Sequence, residues 1–230
     1  MVPISGGRKG WDMNLSRKAV SALAGLMLAG GVSAASAHVI DFTDSGTGTS
    51  GAVLGGSVTW TMTANGMLNN SQLFDGNAVP TGTPLAFQTD GYGVGLKDDE
   101  ITTTSRSQEV ITLTFSAPTL IDAIYFLDLF VAQDGSSKEI GMATFDGLTS
   151  VQLVAQDIAR SGAGGFVAAT FAPILATVIK FTVLSSNDSL GFADGALAGV
   201  GIAPVPVPAA GLMLLGGLGG LAALRRRKKT

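Results

Sequence analysis

Between residues 38 and 203 the apolar side chains recur with a period of two, in runs too short and too often interrupted for anything but strands. The clearest case is residues 109–115. Ile111, Leu113 and Phe115 fall on one face, and Val110, Thr112 and Thr114 on the other. Further runs of this kind lie at 38–42 (an edge strand), 57–63, 120–130, 139–145, 151–155, 166–171, 177–184 and 191–202. Turn formers separate them, among them Asp75-Gly76-Asn77, Asp134-Gly135-Ser136 and Asp146-Gly147. No segment of this region combines a helical period with caps. The pattern predicts an all-β domain, an antiparallel β-sandwich of the jelly-roll kind. Residues 47–56 and 65–95, rich in Gly, Asn and Thr, are expected to form long surface loops.

The segments on either side of this domain have a different character. Arg17 and Lys18 precede an apolar stretch at 19–32 that ends in Ala35-Ser36-Ala37. A basic start, an apolar run and an A-x-A exit make a secretory signal peptide over residues 1–37, with a signal helix and cleavage after Ala37. Met13 stands just before the basic residues, so 1–12 reads as an over-extended start. Residues 204–230 begin with prolines at 204, 206 and 208, a stiff spacer from which no upstream helix can continue. Val205-Pro206-Val207-Pro208-Ala209 is followed by an uncharged apolar run at 210–224 and then by Arg225, Arg226, Arg227, Lys228 and Lys229. The run suits a membrane-inserting helix of somewhat less than the ~20 residues of a full span. The five cations would hold its end on the cytoplasmic side.

This three-part tail, about a tenth of the chain, resembles the PEP-CTERM class of sorting signals, in the variant that carries Val-Pro-Leu-Pro-Ala. Here Val207 stands in place of the Leu. The resemblance implies export from a Gram-negative, exopolysaccharide-making bacterium. It implies transient anchoring in the inner membrane and handling by an exosortase, a membrane cysteine protease or transpeptidase, at Val205–Ala209. Signal peptidase would be the second processing partner, and the destination the cell surface or the extracellular matrix.

The net charge of −3 for the whole chain conceals an acidic domain between basic ends. Residues 38–203 carry five Lys and Arg against sixteen Asp and Glu, a net charge of −11. Such a surface repels phosphate backbones and excludes nucleic acid as a partner. The chain has no cysteine, so neither a disulfide nor a thiolate chemistry is open to it. With a single histidine, His38, it can build neither a Ser-His-Asp triad within the fold nor a His-ligated zinc or copper centre.

Chemistry is then left to carboxylates and aromatic rings. The stretch from Asp90 to Ile101, with Asp98, Asp99 and Glu100 behind a Gly-rich turn and Glu109 opening the next strand, resembles a stretch found in exported β-sandwich proteins with PEP-CTERM tails. Physically, adjacent carboxylates repel unless a cation relieves them, and calcium takes six to eight oxygen ligands. Asp98, Asp99, Glu100 and Glu109 are the candidate calcium ligands. Tyr92, flanked by glycines, is the candidate platform for a sugar, whereas Trp60 alternates with Val58 and Met62 and reads as core. Asp122 and Asp128, on one face of the 120–130 run, are the pair that a carboxylate-based glycan-active enzyme would need. Solvated strand ends are the simpler account of them. The expectation is therefore a non-enzymatic, sorted surface protein associated with exopolysaccharide. The alternatives are a calcium-dependent carbohydrate-binding module and a carboxylate-based glycan-active enzyme.

Overall fold

A computed structural model describes residues 38–97, 99–158, 162–185 and 192–204. The expected signal segment, Asp98 and the whole tail from Val205 onward lie outside the described residues. The described residues all fall within one compact unit, Ser36–Val205.

Among the described residues fourteen strands follow one another: β1 (His38–Asp41), β2 (Ser50–Val53), β3 (Val58–Ala64), β4 (Leu68–Asn69), β5 (Gly93–Val94), β6 (Thr103–Thr104), β7 (Ile111–Leu127), β8 (Phe130–Val131), β9 (Glu139–Phe145), β10 (Thr149–Val154), β11 (Asp157–Ile158), β12 (Val167–Ser185), β13 (Phe192–Ala193) and β14 (Ala196–Ile202). Among the described residues the only helical element is a short 3-10 turn at Leu54–Gly56, and no helix is long and apolar enough to cross a membrane. The predicted terminal helices fall on residues outside the description.

The main sheet runs β1-β14-β7-β12-β9-β10, with β3 pairing a second stretch of β7 and β2 pairing β3. Its pairings are antiparallel. The small β8–β11 ribbon is parallel. Two strands organise everything. The expected separate strands at 109–115 and 120–130 are one strand, β7, and those at 166–171 and 177–184 are one strand, β12. Pro118 lies within β7 although proline cannot donate to a ladder. It sits where no donor is required: β3 pairs residues 111–115 of β7, and β14 pairs 121–127. Opposite, β12 shifts register between Thr170 and Ile174, around Pro173, and again between Ala176 and Val178.

These irregularities bend the sheet over itself. Phe126 pairs with Val167 in register, and Phe181 lies fourteen residues further along β12, a distance of about 46 Å on a straight strand. Yet the Phe126 and Phe181 ring centroids stand 6.3 Å apart, at 62°. The two ends of the long strands therefore belong to two facing layers. Phe42, just past β1, likewise meets Trp60 of β3 edge-to-face at 5.7 Å. Ile111, Leu113, Ile124, Phe126, Phe145, Phe181 and Val200 fill the space between the layers and are fully buried.

A second cluster explains why alternation fails along residues 121–127. Ala123, Tyr125 and Leu127 point away from the main core and are buried against Ala196, Ala198, Leu85 and Phe87. The segment 65–95, expected as a surface loop, thus supplies a cover for the outer face of β7 and β14. It is stitched down by its backbone: Phe87 N–H donates to Thr43 Oγ1 at 2.9 Å, Gln88 and Thr89 N–H to Thr43 O at 3.0 Å, and Ala86 N–H to Asp41 Oδ2 at 2.7 Å. Phe74, Phe87 and Phe166 form a chain of ring contacts at 5.2 and 5.7 Å. The other expected loop, 47–56, contains β2.

Candidate functional site

The end of the sheet at which β7 finishes and β14 begins collects acidic residues. Asp128 follows β7 directly, in the left-handed region at φ 57°, and is buried. Its N–H donates to Gly164 O at 3.0 Å and that of Leu129 to Gly165 O at 3.2 Å. The 162–165 turn therefore clamps the strand end. Asp90 belongs to the covering segment and is 5% exposed. Gly91 turns the chain after it, with φ 104°, a conformation other residues seldom adopt. Tyr92 then exchanges two backbone hydrogen bonds with Leu197 of β14, at 3.0 and 2.9 Å. Asp75 is on an exposed turn that is nevertheless fixed: Phe74 N–H reaches Gln88 O, and Asn77 and Ala78 N–H reach Gly162 O at 3.0 and 3.1 Å.

One carboxylate oxygen from each of Asp75, Asp90 and Asp128 lies within 4.8 Å of the others. Asp90 accepts a hydrogen bond from the Asp75 backbone, but its buried Oδ1 has no partner. Burial and the neighbouring charges of Asp75 and Asp99 push the Asp90 carboxyl up to about 7. Asp128 is pushed up to about 9, first by burial and then by Asp90, Glu100, Asp75 and Asp99. Every charge that bears on Asp128 in this way is another carboxylate.

Asp99 and Glu100 come to this end because of Gly93. A side chain there would place Cβ 1.9 Å from the carbonyl carbon of Asp99 and 2.1 Å from the nitrogen of Glu100. Only hydrogen in that position lets the returning chain lie against β5, where Val94 N–H donates to Glu100 O at 2.9 Å. Asp99 is buried and takes the Gln72 N–H at 3.0 Å. The four expected calcium ligands therefore divide. Asp99 and Glu100 border the carboxylate group, Asp98 lies outside the described residues, and Glu109 is engaged elsewhere, its Oε2 accepting the Thr102 N–H at 2.7 Å.

Two other expectations need correction. Tyr92 is buried, not presented by its glycines: it packs edge-to-face on Phe42 at 5.8 Å and its hydroxyl donates to Thr47 O at 3.1 Å. Burial raises its pKa. Trp60, read as core, is core. Asp122 and Asp128 do not form a pair. Asp122 sits beside Tyr125, whose pKa it helps to raise, whereas Asp128 turns into the Asp75–Asp90 group. The strand-end reading of Asp128 is also wrong in one respect, because the residue is buried and does not face water.

A second acidic pair went unnoticed in the sequence. Glu139 opens β9, and its Oε2 accepts the Phe130 N–H at 2.7 Å while Oε1 accepts the Asp194 N–H at 3.3 Å. Burial first, and then a side-chain hydrogen bond with Asp194, push its pKa up to about 9. Neither Asp75, Asp90 nor Glu139 carries a spacing signal. Each reads as a turn or strand-end residue until the cover folds down.

A groove of about 320 Å³ lies along β1 and β2, lined by His38, Asp41, Asp44, Gly48, Ser50 and Trp60, among others. Asp41 there is already occupied, holding Thr43 and Ala86.

No family model matches the chain, and no curated protein matches it. Among solved structures it is similar to a truncated AlyQ with CBM32 and alginate lyase domains (11% identity, 63% of this chain and 32% of that one, TM-score 0.34). It is also similar to CpGH89CBM32-5 from Clostridium perfringens in complex with GalNAc-beta-1,3-galactose (18%, 60% and 94%, TM-score 0.30). A third is the pair of CBM32-1 and CBM32-2 domains of Clostridium perfringens ZmpB (16%, 63% and 34%, TM-score 0.33). The chain spans about a third of the length of the first and third of these. Overlaps of this size carry no argument about what the chain does.

Proposed function

We propose that the protein is exported and sorted by an exosortase-type system to the cell surface or extracellular matrix, where its β domain serves without catalysis in association with exopolysaccharide. The observation that carries this reading is the order of the tail: Val205-Pro206-Val207-Pro208-Ala209, an uncharged run, then five cations. The A-x-A exit at Ala35 and Ala37 agrees with it at the other end. One feature of the domain supports the reading. Several of its carboxylates are committed to holding backbone: Asp41, Asp99, Glu109, Glu139 and Asp146 each accept main-chain N–H groups. In this reading the domain is a jelly-roll-like sandwich, with a signal helix before it and a membrane-inserting helix after the sorting motif.

Intact mass of the protein recovered from cells and medium of its native host tests the proposal. The expected species begins at His38 and ends within Val205–Ala209. A product that keeps Arg225–Thr230 would make the tail a lasting anchor and overturn the exosortase step.

A further inference from the structure

We infer that Asp75, Asp90 and Asp128 bind one divalent cation, calcium by preference, which pins the covering segment to the end of β7. This inference is independent of sorting and uses residues other than the adjacent Asp98, Asp99, Glu100 and Glu109 that the sequence singles out.

Two observations point to a ligand. The first is geometric. The three side chains come from a turn at residue 75, from the covering segment at 90 and from the strand end at 128, and each stretch of backbone is held in place by its own hydrogen bonds. They nevertheless bring three carboxylate oxygens within 4.8 Å of one another. Three oxygens no more than 4.8 Å apart share a centre at most about 2.8 Å from each, so a small turn of the side chains brings all three to the calcium–oxygen distance of about 2.3–2.6 Å. The second is the state of Asp90. Its side chain is 5% exposed, yet Oδ1 makes no hydrogen bond. A buried acceptor without a partner costs about 1–3 kcal/mol, and a fold seldom keeps one without reason.

The donor set selects the ion. All three ligands are hard carboxylate oxygens, and the chain has no cysteine and one histidine, remote in β1. That disfavours zinc and copper. Three carboxylates from separately fixed segments leave room for the irregular six to eight contacts calcium accepts, completed by carbonyls or water. Magnesium demands a tighter octahedron. Asp99 and Glu100 add negative potential from the rim, since both act on Asp128. The ion would add a cross-link between the covering segment and the end of β7 to the hydrogen bonds and apolar contacts that already join them.

The experiment uses the full chain in detergent, stripped with chelator and titrated calorimetrically with calcium up to about 10 mM, tenfold above the weakest extracellular calcium sites. One ion per chain is expected, with the unfolding midpoint rising by roughly 3–6 °C at ten times Kd. Asp90→Asn keeps the shape of the side chain and removes its charge, and it should abolish the response. Asp75→Asn, at an exposed position where folding is not at risk, should weaken binding by about tenfold or more. Asp134→Asn, on an exposed turn elsewhere, should bind as the parent does. The inference is overturned if neither calcium nor magnesium produces heat or moves the midpoint. Undiminished affinity in Asp75→Asn overturns it too, as does a loss in Asp134→Asn as large as in Asp75→Asn.

Discussion

Replacing Gly93 by alanine is the sharpest single perturbation of this fold, because the obstacle is backbone. The added Cβ would lie 1.9 Å from Asp99 C, 2.0 Å from Asp99 O and 2.1 Å from Glu100 N. Non-bonded carbons rest at about 3.5–4.0 Å, so the returning chain must retreat by about 1.5 Å. A retreat of that size takes the 2.9 Å bond from Val94 N–H to Glu100 O out of range and draws Asp99 away from its 3.0 Å bond with Gln72 N–H. Two hydrogen bonds at about 1 kcal/mol each and overpacking of about 1–3 kcal/mol exceed the gain of under about 1 kcal/mol from a stiffer unfolded chain. The net loss is then about 3 kcal/mol, or roughly 6–12 °C in Tm for a domain of this size. Urea unfolding followed by the fluorescence of Trp60, which is buried, measures it directly. Gly48→Ala is the matched control. Its Cβ meets nothing within 4 Å, so it should stay within about 0.5 kcal/mol of the parent. If Gly93→Ala fell within about 1 kcal/mol of the parent, the close approach that brings Asp99 and Glu100 to the acidic end would be refuted.

Phe181→Ala empties a fully buried site where the two layers meet and should cost about 3–5 kcal/mol by equilibrium denaturation. Leu148→Ala, at a position 90% exposed, should cost less than about 0.5 kcal/mol. In chelator, stability should rise as pH falls. Burial holds the folded Glu139 carboxyl far above its unfolded value of 4.5. Its contribution is therefore complete below 4.5 and is lost as pH climbs toward the raised folded value. Glu139→Gln, which can still accept from Phe130 and donate to Asp194, should make that slope shallower and leave the share due to Asp90 and Asp128; thermal melts across the range that superimpose on the parent's would count against the buried, neutral Glu139 carboxyl. Replacing Pro206 and Pro208 together by alanine should leave export intact and cause the unprocessed chain to accumulate in the membrane, read by intact mass. Unchanged processing would show that the motif is not what the sorting enzyme reads.

The all-β character, the strand at β3, the bounds of β9 and the core position of Trp60 were all legible in the sequence. Each rests on alternation between one buried and one solvated face, a property a strand carries locally. Where both faces are covered the signal disappears. Residues 121–127 show no alternation because the 85–89 segment lies over their outer side. The runs at 109–115 and 120–130, and those at 166–171 and 177–184, read as separate strands, since nothing local says that neighbouring strands hand over beside Pro118 and Pro173. The candidate site divides in the same way. Asp99 and Glu100 drew notice as part of a carboxylate run, and calcium followed from repulsion between neighbours. Asp75, Asp90 and Asp128 are separated by fifteen and thirty-eight residues, and only the descent of the cover onto β7 and β14 makes them neighbours.

The sequence by itself determined the period of the strands, the charge of the domain and the processing signals expected at its ends, because these are written in adjacent residues. The bend that turns one sheet into two layers, the cover over its outer face and the meeting of three distant aspartates were decided by the tertiary structure alone. They depend on which backbone donors find which acceptors across the chain, as Thr43 does with Phe87, Gln88 and Thr89, and no local pattern encodes that choice.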